Sequence, residues 1–130
     1  MASWIEIEIR FGGTPPREVL LRGLRRALGA LAAAGCRIAY VDGSFVTDQV
    51  EPRDFDACWE AAGVDPDRLD PVLLDFSGRR RAQKERFGGE LFPADLAADA
   101  AGTRFLDYFQ RDRETGEPKG IVAVDLRGLA

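Results

Sequence analysis

Val41-Asp42-Gly43-Ser44, then nine residues, then Asp54-Phe55-Asp56, is the stretch that decides the reading of this chain. Cys36 to Val41 is short, apolar and bounded by turn residues, which predicts a buried strand. Gly43-Ser44 follows as a tight turn. A loop rich in Thr, Asp, Gln, Glu and Pro then leads to Asp54, Phe55, Asp56, Ala57 and Cys58, where carboxylates alternate with apolar residues. That alternation predicts a second strand, ending near Trp59. Residues i and i+2 of a strand share a face, so Asp54 and Asp56 project together with Cα atoms roughly 6.5 Å apart. Two carboxylates so placed can bridge two divalent cations about 3.5–4 Å apart. Hard oxygen ligands suit Mg²⁺ (or Mn²⁺), which completes its shell with substrate phosphates. Gly43 lets the backbone approach a phosphate closely, and Ser44 adds N–H and hydroxyl donors.

These residues resemble the signature of the nucleotidyltransferase superfamily typified by polymerase beta. That signature is an apolar residue, Gly, Gly or Ser, a spacer of nine or more residues, and Asp-apolar-Asp/Glu. Asp42 departs from it by interrupting the apolar position before Gly43. The chain is also similar to an uncharacterised group of small bacterial nucleotidyltransferase-like proteins. The residues that carry this are Gly43 to Thr47, Pro52 to Asp56, Lys84 to Gly88 and Pro118 to Ile121. The resemblance implies one nucleotidyltransferase-like domain over 1–130, with a small mixed sheet and helices packed on it. It also implies a third carboxylate on a following strand. Glu90 and Asp95 are the candidates, and they have opposite strand parity. Glu90 opens the strand directly after Lys84 to Gly89, so we read Glu90 as the third ligand, with Asp95 the alternative. Many minimal members carry an Arg soon after Gly-Ser, where this chain has Phe45 and Val46.

Outward from this centre, Trp4 to Phe11 alternates apolar and charged residues and predicts a strand. Thr14 and Pro15 open a helix that runs from about Arg17 to Ala34. Val19, Leu20, Leu24, Ala27, Leu28 and Leu31 form its inward stripe, and Arg17, Arg22, Arg25 and Arg26 its solvated face. Gly35 closes it. Asp65-Pro66 and Asp70-Pro71 are helix-start signals, and a helix is predicted over 72–86. Its Arg79-Arg80-Arg81 and Lys84 are the most basic run in the chain and read as an exposed face rather than a nucleic-acid groove. Glu90 to Ala94 predicts a third strand of the central sheet. Thr103 to Arg111 predicts a short helix with Phe105, Leu106 and Phe109 inward. Lys119 to Leu126 predicts a final strand. Lys119 is a candidate phosphate ligand or a lysine guarding a sheet edge. Helices interleaved with strands give an α+β (or α/β) class.

The 130 residues suit one compact domain. With no histidine among them, histidine-ligated zinc, Ser-His-Asp triads and Cys-His dyads are excluded within the chain. Cys36 and Cys58 match no metal-ligand spacing and read as core residues. The net charge of -4 disfavours a protein that coats nucleic acid, without excluding a local contact. No signal sequence or membrane-spanning run is expected, so the reading is cytoplasmic with no membrane partner.

Two functions of different class follow. One is an Mg²⁺-dependent nucleotidyltransferase that moves a nucleoside monophosphate from an NTP such as ATP to a protein, RNA or small-molecule acceptor. Asp54, Asp56 and Glu90 would hold the metal, and Gly43, Ser44 and Lys119 the nucleotide. The other is a catalytically weak or inactive protein of the same fold, acting as partner or regulator in a toxin–antitoxin or phage-defence pair.

Overall fold

The computed structural model describes residues 1–42, 55–96, 100–108 and 121–129. Its four strands are β1 (Ile38–Asp42), β2 (Phe55–Trp59), β3 (Gly89–Pro93) and β4 (Val122–Asp125). They form one mixed sheet in the order β3-β2-β1-β4. β1 runs antiparallel to both β2 and β4, whereas β2 and β3 are parallel. Parallel neighbours need a crossover connection. A 3₁₀ turn at Pro71–Leu74 and a helix, Ser77–Phe87, lie on the connection between them. The helices are α1 (Trp4–Phe11), α2 (Pro15–Ala33), α3 (Ser77–Phe87) and α4 (Phe105–Tyr108). The α+β class and the mixed sheet therefore follow the sequence expectation.

Strand alternation sends the two faces of the sheet to different surroundings. Phe55, Ala57, Trp59, Val41 and Leu91 belong to the larger core, with Ile7, Leu24, Leu28 and Leu31 of the first two helices. On the other face Cys58 and Phe92 join a smaller cluster with Tyr40, Phe76, Phe105 and Leu106. Phe92 stacks on Phe105 at 4.1 Å between ring centres and on Phe76 at 6.0 Å. Both cysteines are buried, in keeping with their apolar character.

The N-terminal stretch 4–11 is a helix, not the strand its alternation predicts. Ser3 accepts a hydrogen bond from the Glu6 N–H at 3.3 Å, in the Ser-x-x-Glu spacing that starts helices. Trp4, Ile7 and Phe11 then fall on one helical stripe and are buried, while Ile5 and Ile9 are 67% and 79% exposed. Only Ala2 joins the sheet, through a parallel bridge to Val124.

α2 starts and stops as expected. Thr14 accepts from the Arg17 N–H, and Gly35 has a φ of +101° just past the helix end. Two of its residues differ. Val19 is exposed, and Arg17 is buried, donating to the Phe11 carbonyl and tying α2 to α1. Gly23 marks where α2 meets the end of α3. A Cβ there would sit 1.7 Å from the Phe87 carbonyl oxygen.

The single helix expected over 72–86 is broken in two. Asp70 caps the 3₁₀ turn by accepting from the Val72 N–H at 3.1 Å. Asp75 then accepts from both the N–H and the hydroxyl of Ser77, a local bonding pattern that competes with helix continuation. α3 opens with three successive left-handed residues, Gly78, Arg79 and Arg80, at φ of 57°, 58° and 62°. Only after them does it become right-handed. Among the described residues no helix is long and apolar enough to cross a membrane.

Candidate functional site

The sheet register aligns acidic positions across three neighbouring strands. Asp42 on β1 pairs with Asp56 on β2, and Asp56 pairs with Glu90 on β3. The cause is alternation: Phe55 and Ala57 are committed to the large core, and so is Leu91, which leaves Asp56 and Glu90 for the opposite face. The next row on that face is Tyr40, Cys58 and Phe92. Asp56 and Glu90 thus stand side by side at the edge of the smaller apolar cluster. Both are half-buried.

Glu90 and Asp95 are separated clearly. Glu90 lies on β3 with its side chain 15% exposed, next to Asp56. Asp95 lies in the turn beyond β3, 71% exposed, with Arg104 at 3.6 Å.

Glu90 is held by two cations. Arg80 Nε donates to Oε2 at 2.8 Å, and Lys84 Nζ lies 2.9 Å from Oε1. Bonds between charged partners are shorter and stronger than neutral ones. Arg80, the last of the three left-handed residues, and Lys84 stand four positions apart on α3. The Arg80 guanidinium also lies 5.3 Å from the centre of the Phe92 ring, within cation–π range. The basic run therefore divides. Arg81 pairs outward with Glu85, as a solvated face would, whereas Arg80 and Lys84 turn to Glu90. The i,i+4 spacing of Arg80 and Lys84 was the sequence signal for a shared target.

Asp54, Gly43, Ser44 and Lys119, the other expected ligands, lie outside the described residues, as does Phe109. Among the described residues no three Asp, Glu or Cys side chains gather as a metal-binding group. The oxygen donors of Asp56 and Glu90, adjacent in register, have the chemistry Mg²⁺ prefers. Both Glu90 oxygens already face cations, so a metal ion here would compete with Arg80 and Lys84 for them.

On the same face, the Tyr40 hydroxyl donates to Glu60 at 2.6 Å. That bond, together with partial burial, pushes the Tyr40 pKa up to about 12. A separate pocket of about 530 Å³ lies by α1 and α2, lined by Trp4, Glu8, Glu18 and Leu21 with Arg22, Arg25 and Arg26.

A family model matches residues 1–125, nearly the entire chain. The chain belongs to DUF6932, a family of unknown function. Comparison with curated proteins and with solved structures finds no match.

Proposed function

We propose that this DUF6932 chain is an Mg²⁺-dependent nucleotidyltransferase that moves a nucleoside monophosphate from an NTP to an acceptor hydroxyl. The observation that carries the reading is the pairing of Asp56 with Glu90 on adjacent parallel strands. In the sequence, Asp54 stands two residues before Asp56, and Gly43-Ser44 stands upstream at the spacing the resemblance requires. In this reading Asp54, Asp56 and Glu90 bind the metal, Gly43 and Ser44 receive the terminal phosphates, and Lys119 contributes a further positive charge. Bound Mg²⁺ would supply an acidified acceptor hydroxyl and neutralisation of the leaving pyrophosphate.

One observation favours the second reading, a catalytically weak partner or regulator in a toxin–antitoxin or phage-defence pair. Both Glu90 oxygens already have cationic partners, so side chains of the protein can satisfy this carboxylate without metal. Titration calorimetry with each NTP and Mg²⁺ separates the two. The enzyme reading expects binding that weakens at least about tenfold in Asp54→Ala and in Asp56→Asn, since each change removes a charged ligand. It also expects transfer of α-phosphate label into cell-extract acceptors to stop in both variants. Label transfer by Asp54→Ala at the wild-type rate would refute the assignment. Absence of binding by any NTP at millimolar concentration would favour the regulator.

A further inference from the structure

The contact of Arg80 and Lys84 with Glu90 has three unusual properties together. It occupies both oxygens of one carboxylate. That carboxylate is the register neighbour of Asp56. And one of the two cations, Arg80, sits in a left-handed backbone conformation at φ 62°, which non-glycine residues adopt at a cost. Arg79, beside it, shares that conformation. Neither Arg80 nor Lys84 is deeply buried, their side chains being 31% and 42% exposed. Both can therefore exchange partners without unpacking the core.

A divalent ion held by Asp56 and Glu90 would need at least one Glu90 oxygen. Arg80 and Lys84 would then compete with the ion for the same atoms. Once displaced from Glu90, the two side chains would be free to take the phosphate oxygens of a metal-bound polyphosphate as partners instead. Arg binds phosphate by the same donor geometry with which it binds carboxylate, and Lys binds it as a point charge.

We propose that Arg80 and Lys84 form a phosphate-binding pair for an oligophosphate chain, held on Glu90 until the metal arrives with its ligand. The inference rests on the metal reading of Asp56 and Glu90. It assigns to the protein an exchange: Glu90 passes from two side-chain cations to a metal ion, and the two cations pass from Glu90 to phosphate. Arg80 ends the left-handed turn at Gly78 to Arg80 and reaches Glu90 at 2.8 Å. The expected signature is a reversal of sign. Removing the two cations should help bare metal bind and hinder metal-bound polyphosphate.

The test uses the whole chain and two probes, MnCl₂ alone and MnCl₂ with inorganic tripolyphosphate, which carries the phosphates without a base. Free Mn²⁺ is counted by electron paramagnetic resonance. In Arg80→Gln/Lys84→Gln, Mn²⁺ alone is expected to bind about threefold to tenfold more tightly than in wild type, and the Mn²⁺–tripolyphosphate complex about tenfold or more weakly. Lys84→Gln alone should move both quantities in the same directions by less, and it serves if the double variant misfolds by circular dichroism. Equal Mn²⁺ affinity in wild type and variants, or polyphosphate binding unaffected by the substitutions, would overturn the inference while leaving the metal site standing. If wild type binds no Mn²⁺ that Asp56→Asn or Glu90→Gln removes, the metal reading itself fails and the inference with it.

Discussion

Tyr40 and Cys36 hold their protons to higher pH in the folded chain than they would in an unfolded one. The Tyr40 pKa is pushed up to about 12, first by its bond to Glu60 and then by burial. Burial moves the Cys36 thiol up to about 11. Each raised value favours the neutral form in the folded state. The associated stability is complete below the unfolded pKa, and it is lost as pH climbs toward the folded one. The urea midpoint should therefore fall from about pH 9 to pH 12, and Tyr40→Phe should flatten its upper part. A midpoint equally steep in Tyr40→Phe would show that the Glu60 bond does not hold the phenol proton. Gln83 is a second test. It is fully buried, accepts from the Leu91 N–H at 2.8 Å, and donates to the Leu73 carbonyl at 3.4 Å. Gln83→Leu strands two backbone groups of β3 and the 3₁₀ turn, and should cost roughly 2–4 kcal/mol in urea unfolding. A loss below about 0.5 kcal/mol would contradict that accounting. At this scale the sequence located Glu90 near the start of a strand, where β3 holds it, with Asp95 beyond the strand end. It gave no hint of Gln83, since a glutamine among arginines reads as surface.

Among the elements, α1 shows what local pattern can and cannot decide. Ile5, Ile7 and Ile9 alternate with charged residues as a strand would, yet Ser3 and Glu6 carry the helix-start spacing and Trp4, Ile7 and Phe11 carry the helical period. Both patterns are present, and tertiary packing against α2 chooses between them. If the cap matters, Ser3→Ala lowers stability by about 1 kcal/mol, measurable as a shift in the thermal midpoint. An unchanged midpoint would assign the helix to packing alone. The break between the 3₁₀ turn and α3 was illegible for a different reason. It depends on Asp75 bonding to Ser77 and on left-handed residues, two of them arginines, that no propensity scale expects. The β2–β3 pair was legible as two strands, but its register was not. Gly89 fixes part of that register by close approach, because a Cβ there would lie 2.5 Å from the Phe55 carbonyl oxygen. Gly89→Ala should therefore disturb the alignment of Asp56 with Glu90 as well as lower stability. Mn²⁺ binding by this variant at wild-type strength would show that the alignment tolerates the change.

Across the whole molecule, the two faces of one sheet divide the labour. The face toward α1 and α2 is closed by aliphatic and aromatic packing. The other carries Asp56 and Glu90 next to a small aromatic cluster. That division was readable in outline from alternating residues in β2 and β3, and the α+β class from the order of elements. Strand order was not readable, since hydropathy does not record which neighbours pair. If Asp56 and Glu90 share a divalent ion, that ion links the two strands. Mn²⁺ at a hundred times its dissociation constant should then stabilise the fold by about 2.7 kcal/mol, seen as a rise of several degrees in melting temperature. A rise of equal size in Asp56→Asn would place the ion elsewhere.

The crossing of α2 and α3 limits which genetic repairs this fold can accept. When a substitution overfills a core, trimming a neighbouring side chain often restores it. At Gly23 the obstacle is the main-chain oxygen of Phe87, 1.7 Å from where a methyl group would stand, and every amino acid carries that oxygen. No replacement at position 87 can make room, so a suppressor of Gly23→Ala must arise by shifting a helix axis, not by shortening a side chain.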